Sequence, residues 1–394
     1  MGAVVLFVVA ALGVSVGVTG PAYATEYPSW QDVQRAKQNQ ATKKAEITKL
    51  TGYLASLEQQ SAAAGKLALQ RGEDYNVARD ALGAATAKAS ALTDQADSAL
   101  AQAHASAARV GQLVAQMART GNGNLSVDLF LQGSAAGDLL SQLGMMSKLS
   151  QQSASVYQQA VLDRNTAQSL ADEAHVAQTA RAALASSAQA ALTAANSAAA
   201  AVKLKVTEQK KLSTTMYAQL ASLKGQTAKE VKGYLAGVAW EKAQEAKNKP
   251  PTAPPPANPP PGPPSGSKVD RAIAYAKAQL GEPYVLGGMG PSQWDCSGLT
   301  KAAYAYAGVY IGTHSATDQY DTMRADGKLV PIGSIQAGDL LWYSSGGSTS
   351  GSKYHVTLYI GGGNMIEAPY PGEVVRIRPV RYGDLVPYAG RPTG

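Results

Sequence analysis

The chain has 394 residues, a single cysteine, a formal charge of +7 and a pI near 9.2, which is length enough for two or three domains. One cysteine excludes an intramolecular disulfide framework, and the absence of Lys/Arg clusters interleaved with aromatics leaves nucleic-acid binding without support. From Lys268 onward eleven Lys and Arg face ten Asp and Glu, so the basic excess lies upstream and suits loose, salt-dependent contact with anionic wall polymers.

Residues 1–24 read as an export signal. The apolar run "AVVLFVVAALGVSVGV" leads into "GPAYATE", where Ala22 and Ala24 provide the small-x-small pattern that precedes cleavage. A retained membrane anchor is the alternative, because the run approaches spanning length. No Lys or Arg precedes it.

Residues 30–248 are rich in Ala, Gln, Ser and Lys and contain no proline. Ile47, Leu50, Leu54 and Leu57, and later Ala78, Leu82, Ala85, Ala89, Leu92, Ala96 and Ala99, recur at steps of three and four. That alternation predicts a heptad seam whose small residues bury little area per turn. Gly121, Asn122 and Gly123 end the first arm. An apolar patch follows at about 121–146, and a second helical stretch runs from about Met146 to Lys247. The expectation is an antiparallel coiled-coil hairpin with an apolar tip, which either packs on itself or receives a partner. Residues 249–267 hold half of the chain's prolines and read as a semi-rigid spacer.

Residues 268–394 have the composition of one small globular domain. A helix is expected from about residue 269, with Ala272, Ala276 and Leu280 on one face and Gly281 ending it. Asp295 is placed to N-cap a second helix that begins at Cys296, with Leu299, Ala303 and Tyr306 toward a core. At that position free amides and the helix dipole lower a thiol's pKa, so Cys296 is either a thiolate nucleophile or an inert buried thiol. A nucleophilic thiolate needs an imidazole. His104 and His175 lie in the Ala-rich helices and His314 in a loop, whereas His355 opens the alternating strand "HVTLYIGGG". If Gly361–Gly363 form a three-residue turn, Thr357 opposes Glu367 and Glu367 is the diagonal neighbour of His355, able to hold its tautomer. One Cys and two His, without HExxH or CxxC spacing, make a poor metal set, and no cofactor is expected.

The segments "LGEPYVLGG", "WDCSGL", "GDLLWY", "HVTLYIGGGNMIEAP" and "VVRIRPVRY" occur in the order found in NlpC/p60 cysteine peptidases, which this domain resembles throughout its length. The resemblance implies an α+β fold, a papain-like domain whose Cys helix packs on an antiparallel sheet. It implies Cys296 as nucleophile, His355 as base and then acid, Glu367 as orienting residue, Tyr284 near the oxyanion site, and Asp295 and Ser297 as flanking residues that shape substrate binding. The sequence departs from the family pattern in four places. Glu367 stands at the third catalytic position, where His, Asn or Gln is common, and would stabilise an imidazolium more strongly. Leu286 stands where many members have Trp, His314 where an Arg is common, and 344–353 inserts a Gly/Ser loop that could act as a lid. The hairpin resembles, more loosely, the coiled coils of secreted cell-division hydrolases, which implies docking to a membrane complex of the FtsEX type.

These features describe a secreted, wall-associated enzyme that cleaves peptidoglycan stem peptides, by family analogy between D-glutamate and the diamino acid. An amidase or acyltransferase using the same dyad and an adaptor with an idle peptidase domain are the alternatives. A long arm tethered to a lytic enzyme further suggests that the hairpin covers the cleft until a partner pulls on its tip.

Overall fold

A computed structural model of the chain describes residues 28–120, 136–247 and 266–394. The export segment, most of the predicted tip (121–135) and the linker up to residue 265 lie outside the described residues. The helical region contains α1 (Trp30–Ala36), α2 (Gln40–Thr120), α3 (Ala136–Lys224) and α4 (Ala228–Lys247). The second arm therefore starts about ten residues earlier than the sequence suggested. It also breaks at Gly225, whose φ of 68° ends α3. Thr227 and Glu230 then cap α4 reciprocally, the Thr227 N–H donating to Glu230 Oε2 at 2.7 Å.

The chain divides into two compact units. In the smaller, residues up to 57 and 213–232, the core contains Val33, Leu50, Leu54, Met216, Leu220 and Val231. In the larger, residues 58–212 and 233–394, α2 and α3 run antiparallel: Gln178 Nε2 donates to Thr93 Oγ1 at 3.3 Å, and Ser106 bonds Asp163. Every predicted seam residue from Ala78 to Ala99 is buried or half-buried, Ala89 almost completely.

The C-terminal part of this larger unit is α+β. Helices α5 (Gly266–Ala278), α6 (Cys296–Tyr306) and α7 (Ala316–Ala325) precede a six-stranded sheet, with α5 packed on α6 and both α6 and α7 packed on the sheet. The sheet has the order β1-β6-β2-β3-β4-β5 and is antiparallel at every pairing. Its strands are β1 (Leu329–Pro331), β2 (Leu340–Ser344), β3 (Lys353–Gly361), β4 (Asn364–Glu367), β5 (Arg376–Pro379) and β6 (Leu385–Gly390). The core joins Ala272, Ala276, Leu299, Ala303 and Tyr304 to Trp342, Val356 and Leu358. Two inner-face expectations fail. Leu280 lies beyond the last turn of α5 and is 41% exposed, and Tyr306 is 63% exposed while Tyr304 fills the core. Helix α5 also starts at Gly266, inside the stretch assigned to the linker. The 344–353 segment is tied down rather than loose: Ser344 Oγ donates to the Ser348 carbonyl at 2.7 Å, and Lys353 Nζ to the Gly351 carbonyl at 2.6 Å.

Candidate active site

Asp295 caps α6 as its sequence position predicted, with extended backbone and its Oδ1 accepting the Gly298 N–H at 2.7 Å. The same carboxylate accepts from Gly287 N–H at 2.9 Å, from Ser297 Oγ at 3.1 Å and from His314 Nε2 at 2.8 Å. A Cβ on Gly298 would collide with the Gly288 carbonyl, so only glycine lets the Gly-rich loop lie on the first turn of α6. His314 does lie in a loop, and it is buried there as a partner of Asp295.

Cys296 stands at the tip of α6, where the Val356 and Ser297 amides favour its thiolate through hydrogen bonds. The predicted lowering of its pKa is nevertheless reversed. The residue is only 6% exposed, and burial, reinforced by the charges of Asp295 and Glu73, pushes the thiol well above its ordinary value. Burial also raises the Tyr284 phenol, with further contributions from Cys296, Asp295 and Glu73, so these four groups share one electrostatic environment.

The turn after β3 sets Leu358 opposite Ile366 and Tyr359 opposite Met365, which carries Thr357 to Glu367 by continuation. His355 and Glu367 meet: Nε2 lies 3.0 Å from Glu367 Oε2, both side chains are fully buried, and His355 Nδ1 has no hydrogen-bond partner. With Nε2 protonated and turned to the carboxylate, Nδ1 is left as the basic nitrogen. Two arginines that sequence reasoning did not single out complete this cluster. Arg381 Nη1 donates to Glu367 Oε2 at 2.7 Å and Arg376 Nε to Oε1 at 3.1 Å. Burial alone would raise the Glu367 carboxyl, but Arg381, His355 and Arg376 together hold it well below the usual carboxylate range. The His355 imidazole is lowered, first by burial and then by both arginines against the pull of Glu367. Burial and the two arginines thus disfavour the charged ring, while Glu367 favours it.

Helix α2 packs against this domain through one stripe, whose residues the sequence did not single out. Leu69 joins the core around Cys296 and Tyr284. Gly65 and Gly72, two turns apart, allow contact: a Cβ at 65 would strike the Tyr370 ring, and one at 72 would lie 2.9 Å from Leu286. Each glycine costs the helix about 1 kcal/mol relative to alanine, and that cost at seven-residue spacing was the signal available. Polar contacts fringe the stripe. Lys66 Nζ reaches Asp384 at 2.8 Å, Gln70 Nε2 reaches Ser345 Oγ at 3.0 Å, and Arg79 Nη2 reaches the His314 carbonyl at 3.0 Å. Glu73, 2% exposed, accepts from Ser315 Oγ at 2.6 Å, Ala316 N–H at 3.1 Å and Thr317 N–H at 2.8 Å. A cavity of about 480 Å³ remains between Lys66 and Leu69 of the arm and Glu367, Tyr370 and Arg381 of the domain.

Comparison with known proteins places this site in context. The model of the NlpC/P60 family matches residues 281–387. The peptidoglycan endopeptidase RipB of Mycobacterium tuberculosis is 34% identical over 171 residues, which cover 40% of this chain and 67% of that protein. A gamma-D-glutamyl-L-lysine dipeptidyl-peptidase of Bacillus cereus is 34% identical over 122 residues, 31% of this chain and 35% of its own length. The solved structure of RipB covers 32% of this chain and 65% of the solved one, at 33% identity and a TM-score of 0.28.

Proposed function

The chain belongs to the NlpC/P60 family of cysteine peptidases, and from that premise we propose that it hydrolyses an amide bond in peptidoglycan stem peptides at the cell wall, the bond between D-glutamate and the diamino acid. The observation that carries this reading is the polarised imidazole: His355 Nε2 is tied to Glu367 and Nδ1 is unpartnered, on the strand whose next amide acts on the Cys296 sulfur. In the reaction, Cys296 Sγ attacks the carbonyl carbon and its proton passes to His355 Nδ1. Amides at the tip of α6 and the Tyr284 hydroxyl stabilise the oxyanion. The imidazolium then protonates the leaving amine, and a water molecule deprotonated by His355 cleaves the thioester to release the acid. Glu367 fixes the tautomer, and the two arginines keep the resting ring neutral.

A closed resting state is supported by three observations: Cys296 is only 6% exposed, burial pushes its thiol well up, and the α2 stripe from Gly65 to Arg79 lies on the domain. The reading that follows is an arm that restrains the enzyme. The tip at 121–146 is where a membrane complex of the FtsEX type would engage it. Digestion of purified wall by residues 266–394, with and without Cys296→Ala, tests the chemistry by mass spectrometry of the muropeptides. A cysteine-dependent new amine at the D-glutamyl–diamino acid bond is expected. Cutting at another amide overturns the bond assignment, and cysteine-independent cutting overturns the peptidase. Equal activity of that fragment and the full chain would remove the restraint.

A further inference from the structure

Among the contacts that close the cleft, the one made by Glu73 differs in chemistry from its neighbours. Lys66, Gln70 and Arg79 make peripheral polar contacts, whereas Glu73 carries a carboxylate into the interior. A Cβ on Gly72, the residue before it, would lie 4.0 Å from the Tyr284 hydroxyl, and the Glu73 charge adds to the upward push on the Tyr284 phenol and the Cys296 thiol. The donors it meets belong to the first turn of α7. Ser315 already satisfies that helix locally, its Oγ accepting the Asp318 N–H at 3.1 Å. The Ala316 and Thr317 amides and the Ser315 hydroxyl proton are thereby left pointing at the cleft.

This turn is held rigidly relative to the catalytic strand. The Lys353 N–H, two residues before His355, donates to Thr317 Oγ1 at 3.0 Å. The Lys353 side chain is itself buried, adding a positive charge to the surroundings. Burial pushes the Glu73 carboxyl up against the hydrogen bonds from Ser315, Thr317 and Ala316 that favour its ionised form. A carboxylate delivered from 242 residues away in the chain is therefore seated, at a desolvation cost, on three converging donors of a turn tied to the strand that carries His355.

We infer that the Ser315–Ala316–Thr317 turn is a carboxylate-binding subsite of the substrate cleft, and that Glu73 occupies it as an intramolecular stand-in for a substrate carboxylate. The inference rests on the peptidase reading only for the identity of that ligand, an acidic stem peptide. When α2 leaves, the three donors lose their acceptor, and a ligand that restores a carboxylate there binds in preference to one that offers an amide.

The test uses the full chain carrying Gly72→Leu and Glu73→Ala, which removes the plug and wedges the arm away from Leu286. Cys296 is the only cysteine, so its alkylation by iodoacetamide reports on one site. The probes are L-alanyl-γ-D-glutamyl-L-lysine, its D-isoglutamine twin and its C-terminal amide. The expected result is faster labelling than in the native chain, and protection by the free acid at about tenfold lower concentration than by one of the two amides. Which amide loses protection tells whether the glutamyl or the lysyl carboxylate is bound. Ser315→Ala in the same chain should narrow the gap. Equal protection by all three peptides, protection by none, or labelling no faster than native overturns the subsite. Cleavage is read separately as released amine: discrimination without cleavage sinks the peptidase and leaves the subsite standing, whereas cleavage without discrimination does the reverse.

Discussion

Helix α2 and the β3–β4 hairpin each bury one carboxylate near Cys296 and treat its charge in opposite ways. On the hairpin Glu367 bonds a histidine and two arginines, and its carboxyl is held far below the usual range. On the arm Glu73 is held by a hydroxyl and two amides, and burial pushes it up. A site meant to stay assembled neutralises a buried charge with cations. A contact meant to be released leaves it poorly compensated, so that water competes for it once the arm lifts.

The largest effect expected from breaking this contrast is at Glu367. Replacing it by Ala leaves His355 buried without its acceptor and two partly exposed arginines facing each other. Thermal unfolding of Glu367→Ala should show a loss of about 3 kcal/mol, together with at least a hundredfold loss of kcat/KM in the uncovered enzyme, since nothing then fixes the tautomer. A loss of activity below tenfold would mean that the carboxylate does not orient the ring. Next in size is the wedge. Gly72→Leu alone in the full chain should accelerate alkylation of Cys296 by about tenfold or more, because the side chain cannot fit against Leu286 and the thiol regains solvent. An unchanged rate would show that the arm does not control access.

These contrasts also mark what the sequence could and could not convey. The His355–Glu367 pairing was legible because side-chain parity along a strand is two. The turn itself is the two residues Gly362–Gly363, since Gly361 pairs with Asn364, and a register shift between Tyr359 and Gly361 restores the facing that a three-residue turn would have given. The Asp295 cap was equally legible, since a capping residue and its helix are adjacent in sequence. The state of Cys296 was not. The helix tip favours the thiolate locally, but the tertiary core buries it, and a segment more than two hundred residues away joins that core and adds the charge of Glu73, which no local pattern encodes. Tyr304 and Tyr306 exchanged roles because two aromatics two positions apart on an Ala-rich helix give the periodicity little to choose between. Arg376 and Arg381 sit in the quoted "VVRIRPVRY" stretch, where alternating charges also suit a solvated edge strand. Only the folded sheet brings them to Glu367.

Arg381 offers a finer test of the hairpin side. With Arg376 it holds the His355 imidazole down, and a general base must be neutral to work. Arg381→Gln in the uncovered enzyme should therefore raise the imidazole pKa and move the acid limb of kcat/KM to higher pH by about one pH unit, with a loss of about tenfold near that limb. Arg381 acts on the ring through its charge, and a merely structural role would lower the rate without moving the limb.

The smallest effect is expected at Glu73. Glu73→Gln keeps the shape and one acceptor oxygen for the α7 amides while removing a charge that burial disfavours, so stability should change by no more than about 1 kcal/mol. The pH dependence separates the two proteins more clearly. A carboxyl raised in the docked state takes up a proton there more readily than when free. Docking is therefore strongest below its ordinary pKa and weakens as pH rises through the docked value. The ratio of native to Glu73→Gln labelling rates at Cys296 should therefore climb as pH rises through the docked value of the Glu73 carboxyl. A flat ratio would assign the closure to the glycine stripe alone and leave the buried carboxylate without a part in opening the cleft.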